Sequence, residues 1–253
     1  MAGRTRPPVS RNVLAIDVGN SRIKWGIHDG AQWRLQEWIE TAHATRLKSA
    51  LARVPAPQAI VISNVAGAAL KKQVARALPA APRPRWIKSE RKQCGVRSSY
   101  ADPAQLGCDR WAAVIGAYRL FGVAAVVVNA GTALTVDALA GDGVFAGGVI
   151  VPGTELMRQA LAENTDALKR RPGKYSFFPD STGDAIVSGA INAACGAIER
   201  MARFLEEAGQ APPLCVLSGG GAALIAAHLN LEVKVVDNLV LEGLLTIAQS
   251  AAE

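Results

Sequence analysis

Ile16-Asp17-Val18-Gly19-Asn20-Ser21 and Val128-Asn129-Ala130-Gly131-Thr132-Ala133 are two copies of one pattern: apolar, Asp or Asn, small, Gly, polar, small. Each copy lies between two runs with strand character. Leu14-Ala15-Ile16 leads into the first and Ile23-Lys24-Trp25-Gly26-Ile27 leads out; Val126-Val127-Val128 leads into the second and Leu134-Thr135-Val136 leads out. A hairpin whose turn carries Gly and small polar residues exposes backbone N–H groups, which makes it a cradle for anions. One such turn in each half predicts a duplicated fold that holds phosphate in the cleft between the halves.

Working outward, the first half reads as strands over 13–18, 22–29 and 32–39, a helix over 43–53, a strand over 59–63 and a helix over 67–78. A Pro-rich loop, Pro79 to Pro84, and a strand over 85–88 follow. A basic, turn-rich segment then leads to Asp102-Pro103, which suits the start of a helix over 104–121. The second half opens on Val123 to Val128, apolar without interruption, as in a strand buried on both faces. Strands over 132–139 and 143–151 are joined by the turn Gly141-Asp142-Gly143. A helix over 153–162, a basic loop from Arg170 to Pro179, a helix over 183–208 and a strand over 214–218 come next. A helix over 222–228, a strand over 233–236 and a helix over 239–250 complete the chain.

Each half is thus a three-strand meander followed by alternating helices and strands. A doubly wound nucleotide-binding sheet alternates from the start, and neither GxGxxG nor GxxxxGK[ST] occurs. The meander-first order is that of the acetate/sugar kinase–Hsp70–actin fold, an α/β architecture of two ribonuclease H-like halves. The expected divisions are a basic tail over 1–12, a first half over 13–121 and a second half over 122–253.

Half of the 253 residues are hydrophobic and 19% are charged, which suits a packed core. No apolar run approaches a membrane span, and the N-terminus, with Arg4, Arg6 and Arg11, lacks the apolar centre of a signal peptide. A cytoplasmic protein is expected. Cys94, Cys108, Cys195 and Cys215 form no CxxC pair and read as free thiols; His28, His43 and His228 lack metal-ligand spacing. These patterns argue against a zinc site and a His-based triad. The net charge of +7 concentrates in residues 1–11 and in 83–97, where Arg83, Arg85, Lys88, Arg91, Lys92 and Arg97 face only Glu90. Trp86 is the one aromatic in that patch, so the stacking pattern of a nucleic-acid groove is missing. Solvated surface, or attraction of small anions, fits better.

In the first turn, Gly19 allows close approach to a phosphate, Asn20 and Ser21 add donors, and Lys24 offers a neutralising charge. Asp17 could hold Mg²⁺, as phosphoryl transfer requires; the bland alternative is an ordinary tight hairpin. Gly107-Cys108-Asp109-Arg110 opens a helix. Asp there is favoured by the helix dipole alone, or Asp109 serves as general base on an alcohol with Arg110 as a carboxylate or phosphate clamp. Gly219-Gly220-Gly221 suits either the approach of a flat ligand such as adenine or a flexible turn. Thr182 and Asp184 read as a helix N-cap region, with ligand contact the sharper idea. Trp25, Trp33, Trp38 and Trp111 read as core or subunit contacts.

Asp17-Val18-Gly19-Asn20-Ser21, Gly107-Cys108-Asp109-Arg110, Asn129-Ala130-Gly131-Thr132-Ala133 and Gly147-Gly148-Val149-Ile150-Val151-Pro152-Gly153, in this order and followed by Thr182, resemble type III pantothenate kinase. The likeness includes the subgroup once named Bvg accessory factor and runs from about Val13 to Ala248. It implies the two-lobed kinase fold, a homodimer, and ATP-dependent phosphorylation of the primary hydroxyl of pantothenate, the first step of coenzyme A synthesis. Carried over by motif, Asp17, Val18, Gly19, Asn20, Ser21, Arg22, Ile23 and Lys24 would bind the ATP phosphates, with Thr132 also on ATP. Gly107, Cys108, Asp109 and Arg110 would bind pantothenate, with Asp109 as the base. Tyr100 and Thr182 would complete a substrate pocket that spans the dimer interface. The resemblance also implies Mg²⁺ with ATP and a monovalent cation, K⁺ or NH₄⁺. Here the chain departs: the second motif of the family begins with Asp, and this one begins with Asn129, whose amide supplies an oxygen but no charge. The rival expectations are a regulatory protein of the same fold with little or no transfer, and a kinase or phosphatase of that fold acting on a sugar or acetate.

Overall fold

The computed structural model describes residues 12–169 and 171–250. The tail arginines Arg4, Arg6 and Arg11, and Arg170 at the head of the basic loop, lie outside the described residues. In the first half, β1 (Val13–Val18), β2 (Arg22–His28) and β3 (Trp33–Glu40) form the antiparallel meander. Strand β4 (Ala59–Asn64) runs parallel to β1, and β5 (Arg85–Trp86) parallel to β4, giving the order β3-β2-β1-β4-β5.

After β5 the chain forms a short hairpin, β6 (Lys92–Gln93) and β7 (Val96–Ser98). The second half repeats the first as β8 (Ala125–Ala130), β9 (Ala133–Leu139), β10 (Val144–Pro152), β11 (Leu214–Ser218) and β12 (Val233–Val235). Its sheet order is β12-β11-β8-β9-β10-β7-β6. The repeat holds residue by residue. Asp17 faces Lys24 on β2 and Ser63 on β4, as Asn129 faces Thr135 on β9 and Ser218 on β11. The entry strands are apolar on both faces because both faces are covered.

Helices α1 (Leu47–Leu51) and α2 (Gly67–Ala77) cover the outer face of the first sheet, where Leu47, Leu70 and Val74 meet Leu14, Ile16 and Ile62. Helix α3 (Cys108–Phe121) follows, and α4 (Thr154–Asn164) leaves the end of β10. Helices α5 (Thr182–Glu207) and α6 (Ala222–Ala226) cover the outer face of the second sheet, with Ile191, Ile198 and Ile225 on Val126, Val128 and Leu217. Helix α7 (Leu239–Ser250) joins α3 in a layer between the sheets. One core there unites Val13, Ala15 and Val61 of the first sheet, Val127 and Val216 of the second, and Trp111, Ile115, Leu241 and Leu244 of the two helices. The helices cross at close range: a Cβ on Gly243 would lie 1.8 Å from the Ala112 carbonyl oxygen, and one on Gly116 would lie 2.7 Å from that of Leu239.

Several expectations need correction. The helix expected over 104–121 starts at Cys108. Asp102 instead caps a single 3₁₀ turn, Pro103–Gln105, by accepting from Ala104 N at 2.9 Å, and Leu106 and Gly107 are extended before the true helix begins. The helix expected over 43–53 is a 3₁₀ turn, Thr41–Arg46, followed by α1. The strand expected over 85–88 ends at Trp86, and the segment read as basic and turn-rich contains β6 and β7. That hairpin lies in the first half by sequence but joins the second sheet, because β7 pairs with β10. The strand expected over 123–128 spans 125–130, which places Asn129 inside β8 rather than in the turn. Trp25 and Trp111 are core and Trp33 is half-buried, donating to Glu242 at 2.7 Å. Trp38, 51% exposed, is not core: its ring carries the Arg22 guanidinium at 4.2 Å. All four cysteines are free.

The α3–α7 crossing has no room for a methyl group, and the obstacle is backbone. Gly243→Ala is expected to destabilise the protein by about 3 kcal/mol, read as a lower urea midpoint with the denaturant slope retained.

Candidate active site

The first turn is closed by Gly19 N donating to Arg22 O at 3.0 Å and braced by the Thr41 hydroxyl donating to Gly19 O at 2.9 Å. The second is closed by Gly131 N donating to Ala133 O at 3.1 Å. The turns face each other: the Ser21 and Thr132 hydroxyls are hydrogen-bonded at 2.6 Å. The Gly-rich turn after β11 completes the frame. Gly219 sits at φ +99°, and a Cβ there would lie 2.5 Å from Ala130 O; a Cβ on Gly220 would lie 3.5 Å from Arg22 Nη1. Two N–H-bearing turns and a bare backbone segment thus converge on one cleft, which is the geometry that can hold a polyphosphate.

The acid groups lie at its floor. Asp17, at the end of β1, is buried, and its Oδ1 has no hydrogen-bond partner. Burial, followed by the nearby charge of Asp109, pushes its carboxyl up to about 7, with Lys24 and Ser63 opposing. Burial lowers the Lys24 ammonium, opposed by the charges of Asp17 and Asp237. Asp109 occupies the first turn of α3, where its Oδ1 accepts from Arg110 N at 2.8 Å. Burial raises the Asp109 carboxyl, and the Arg110 N–H and guanidinium work against that rise.

The neighbouring Cys108 explains how Asp109 comes to this place. Its Sγ lies 3.4 Å from Ser63 Oγ and accepts from Asn64 N at 3.3 Å, which ties the start of α3 to the end of β4 beside β1. The Cys108 side chain therefore faces the sheet. Gly107, extended, caps the helix.

Arg110 is buried, and its guanidinium is already engaged. Nε donates to both oxygens of Asp137 at 3.1 and 3.2 Å, Nη2 donates to Asp137 Oδ1 at 2.5 Å, and Nη1 donates to the Tyr100 hydroxyl at 3.3 Å. Tyr100 in turn packs its ring on Phe145, 5.4 Å between centroids. Asp137 is 1% exposed; burial lifts its carboxyl to about 6 against the pull of Arg110. The motif reading missed Asp137. The available signal was an acid inside the apolar strand Val136-Asp137-Ala138, since such a group demands a partner.

The structure therefore gathers Asp17, Lys24, Tyr100, Gly107, Cys108, Asp109 and Arg110 around one end of the cleft, with Ser21 and Thr132 at its mouth. Asn129 flanks the second turn; a Cβ on Gly219 would lie 2.8 Å from its Oδ1. Thr182 is the exposed first residue of α5, and among the described residues no hydrogen bond joins it to Asp109 or Arg110. Ser181, not Thr182, caps that helix, accepting from Asp184 N at 3.2 Å, while Asp184 accepts from Lys174 N at 2.8 Å and so pins the preceding loop. Among the described residues, no group of three or more His, Cys, Asp or Glu is placed to hold a metal ion.

A duplicated β3-β2-β1-β4-β5 architecture with two facing turns defines a member of the actin, Hsp70 and sugar-kinase class. Solved structures agree: a Baf family transcriptional activator from Campylobacter jejuni superposes with TM-score 0.61 at 20% identity, covering 94% of this chain and 98% of that one. MreB5 of Spiroplasma citri bound to ADP superposes with TM-score 0.53 at 11% identity, covering 96% and 98%. At that identity they show the fold alone. The sequence pattern of type III pantothenate kinase matches residues 13–203. The type III pantothenate kinase of Nitrosospira multiformis is 46% identical over 242 residues, covering 95% of this chain and 92% of the relative. That of Aromatoleum aromaticum is 46% identical over 241 residues, covering 95% and 99%. The chain belongs to the type III pantothenate kinase family.

The raised Asp17 carboxyl has a stability signature. Its folded value of about 7 lies above the ordinary 3.8, so between these values the folded state holds a proton that the unfolded chain releases. Stability from this group is therefore lost as pH rises through that window, with a slope approaching about 1.4 kcal/mol per pH unit. Asp17→Asn is expected to be more stable than wild type at about pH 8 and little different at about pH 4, measured by thermal melts of the ligand-free protein at each pH.

Proposed function

We propose that this chain transfers the γ-phosphoryl group of MgATP to the primary hydroxyl of pantothenate, the first step of coenzyme A synthesis. The observation that carries the reading is the placement of Asp109: a half-buried carboxylate in the first turn of α3, beside the paired turns. The turn from Asp17 to Lys24, with Thr132 opposite, binds the ATP phosphates through backbone N–H groups, the Ser21 and Thr132 hydroxyls and Lys24. Asp109 accepts the proton of the attacking alcohol, and burial makes it a stronger base than an exposed carboxylate. The transition state is loose, so most of the rate comes from position and charge neutralisation.

Asp17 fits a Mg²⁺ role, because its buried Oδ1 has no protein partner. As one carboxylate it would hold the ion together with water and the phosphates, as is usual for Mg²⁺. When bound, Mg²⁺ neutralises charge on the transferring phosphoryl group. A monovalent cation at Asn129 would meet an amide oxygen without a charge. The substrate pocket is completed by Gly107, Cys108, Arg110 and Tyr100, and by Thr182 across a homodimer interface. Exposed Val149 and Ile150 on β10, Leu156 and Leu161 on α4, and Phe177 and Phe178 before α5 support that dimer, since solvent disfavours so much apolar surface. The cytoplasm, where ATP is available, is the fitting compartment. No helix among the described residues is long and apolar enough to cross a membrane. With Trp86 as the one aromatic in the basic stretch 83–97, the interleaved stacking pattern of a nucleic-acid groove is not formed there, which speaks against nucleic acid as a partner.

ADP release by the purified protein with MgATP is expected to depend on pantothenate, and Asp109→Asn to lower turnover by roughly 10²-fold or more with an unchanged melting temperature. Near-normal turnover in that variant removes Asp109 from the base role, and no pantothenate-dependent release from a folded dimer favours the regulatory reading. In the same assay K⁺ is expected to stimulate only weakly over Na⁺, and Asn129→Asp to increase the stimulation. An equal K⁺/Na⁺ ratio in both proteins removes position 129 from the cation site.

A further inference from the structure

We infer that Asp137 is a positioning residue that locks Arg110 into a formally neutral donor pair, and that this pair reads the pantoyl end of the substrate rather than its carboxylate. The inference rests on the kinase reading above and adds to it a residue and a specificity.

The donor count comes first. A guanidinium has five N–H groups. Nε–H and one Nη2–H are spent on Asp137, and one Nη1–H on the Tyr100 hydroxyl. One N–H on each terminal nitrogen remains. The side-on pairing fixes the plane of the guanidinium, so these two donors have a set direction.

The fixation is built into three strands. Asp137 stands on β9, and Gly148 is its register partner on β10. A Cβ on Gly148 would lie 2.2 Å from Asp137 Oδ1 and 2.8 Å from Arg110 Nη2, so the pair occupies the space a side chain there would fill. Tyr100, following β7, closes the remaining side through its hydroxyl and its contact with Phe145.

Charge decides what the pair can recognise. Arg110 alone would attract a carboxylate. Asp137 cancels its charge at direct contact, and Asp109 adds further negative charge nearby. A substrate carboxylate gains little attraction here, whereas neutral oxygens gain two oriented, buried donors. Pantothenate offers such oxygens beside its reacting alcohol: the secondary hydroxyl and the amide carbonyl of the pantoyl unit. Its carboxylate lies at the other end of the molecule. A Cβ on Gly107 would lie 2.6 Å from Asp109 Oδ1 and 3.9 Å from Arg110 Cδ, so both side chains border Gly107, and a substrate whose primary hydroxyl meets Asp109 there presents its pantoyl end to Arg110. Asp137 also keeps the guanidinium off the adjacent base, which must stay free to take a proton.

The test is steady-state kinetics with wild type, Asp137→Asn, Gly148→Ala, Arg110→Met and the double variant Arg110→Met/Asp137→Leu, with melting temperatures as the folding control. Wild-type pantothenate-dependent ADP release is the prior condition; its absence sinks the kinase reading, not the role of Asp137 within it. Asp137→Asn is expected to raise the KM for pantothenate at least 10-fold and to leave the KM for ATP within 2-fold. Gly148→Ala, which displaces the pair without removing a charge, is expected to show the same split. The double variant replaces the buried pair by apolar side chains, which proteins tolerate better than one orphaned charge. It is expected to lose no more kcat/KM for pantothenate than Arg110→Met alone, because a positioning residue has nothing left to position. A folded Asp137→Asn or Gly148→Ala with unchanged pantothenate KM, an equal rise in ATP KM, or a double variant at least 10-fold worse than Arg110→Met overturns the positioning role. Pantothenol keeps the pantoyl end and lacks the carboxylate. It is expected to compete with pantothenate on wild type and to lose affinity in Asp137→Asn by the same factor as pantothenate. Failure to compete on wild type, or a penalty confined to pantothenate, overturns the assignment of the pair to the pantoyl end.

Discussion

The layer of α3 and α7 between the two sheets is the constraint on which the rest depends. Each sheet is covered outside by its own helices, and its inner face is buried only because these two helices lie against both sheets at once. They fit because Gly116 and Gly243 let them cross with backbone nearly in contact. The layer also has an end, and that end is the candidate site. Helix α3 begins where β1 and β4 finish, so its first turn delivers Asp109 and Arg110 to the cleft floor. The thiol of Cys108, held by Ser63 and Asn64, fixes the entry angle.

The electrostatics follow from that placement. Asp17 and Asp137 are buried and Asp109 is half-buried; the charge of Asp109 acts on both of the others, and desolvation is the leading cause of the rise in all three. Such a cluster is tolerable because Arg110 is shared into it through a side-on pair and Lys24 stands opposite Asp17. Acids perturbed in this way in a cleft are candidates for functional groups.

Much of this was legible in the residues. The duplication was visible in two six-residue patterns, and the register Asp17–Lys24–Ser63 against Asn129–Thr135–Ser218 carries it through three strands of each half. Asp109 and Arg110 were singled out by their place at a helix start and by the family resemblance. Three features were not legible there. Asp137 lies 27 residues from Arg110, and only the packing of β9 against α3 joins them. The β6–β7 hairpin was hidden in a basic stretch because its two short strands depend on the pairing of β7 with the distant β10. Trp38 read as core or a subunit contact by its neighbours; β3 is an edge strand and Trp38 lies at the surface under the Arg22 guanidinium, which removes the core alternative.

The sequence by itself determined the elements, the duplication and the chemical groups on offer, because strand period, turn glycines and motif spacing are local properties of the chain. The tertiary structure decided which of those groups meet. It joined the hydroxyls of Ser21 and Thr132 across the cleft, left one oxygen of Asp17 without a hydrogen-bond partner, and engaged the Arg110 guanidinium with Asp137 and Tyr100. Those outcomes depend on desolvation and on contacts between segments far apart in the chain, and neither is a property that any local stretch of residues carries.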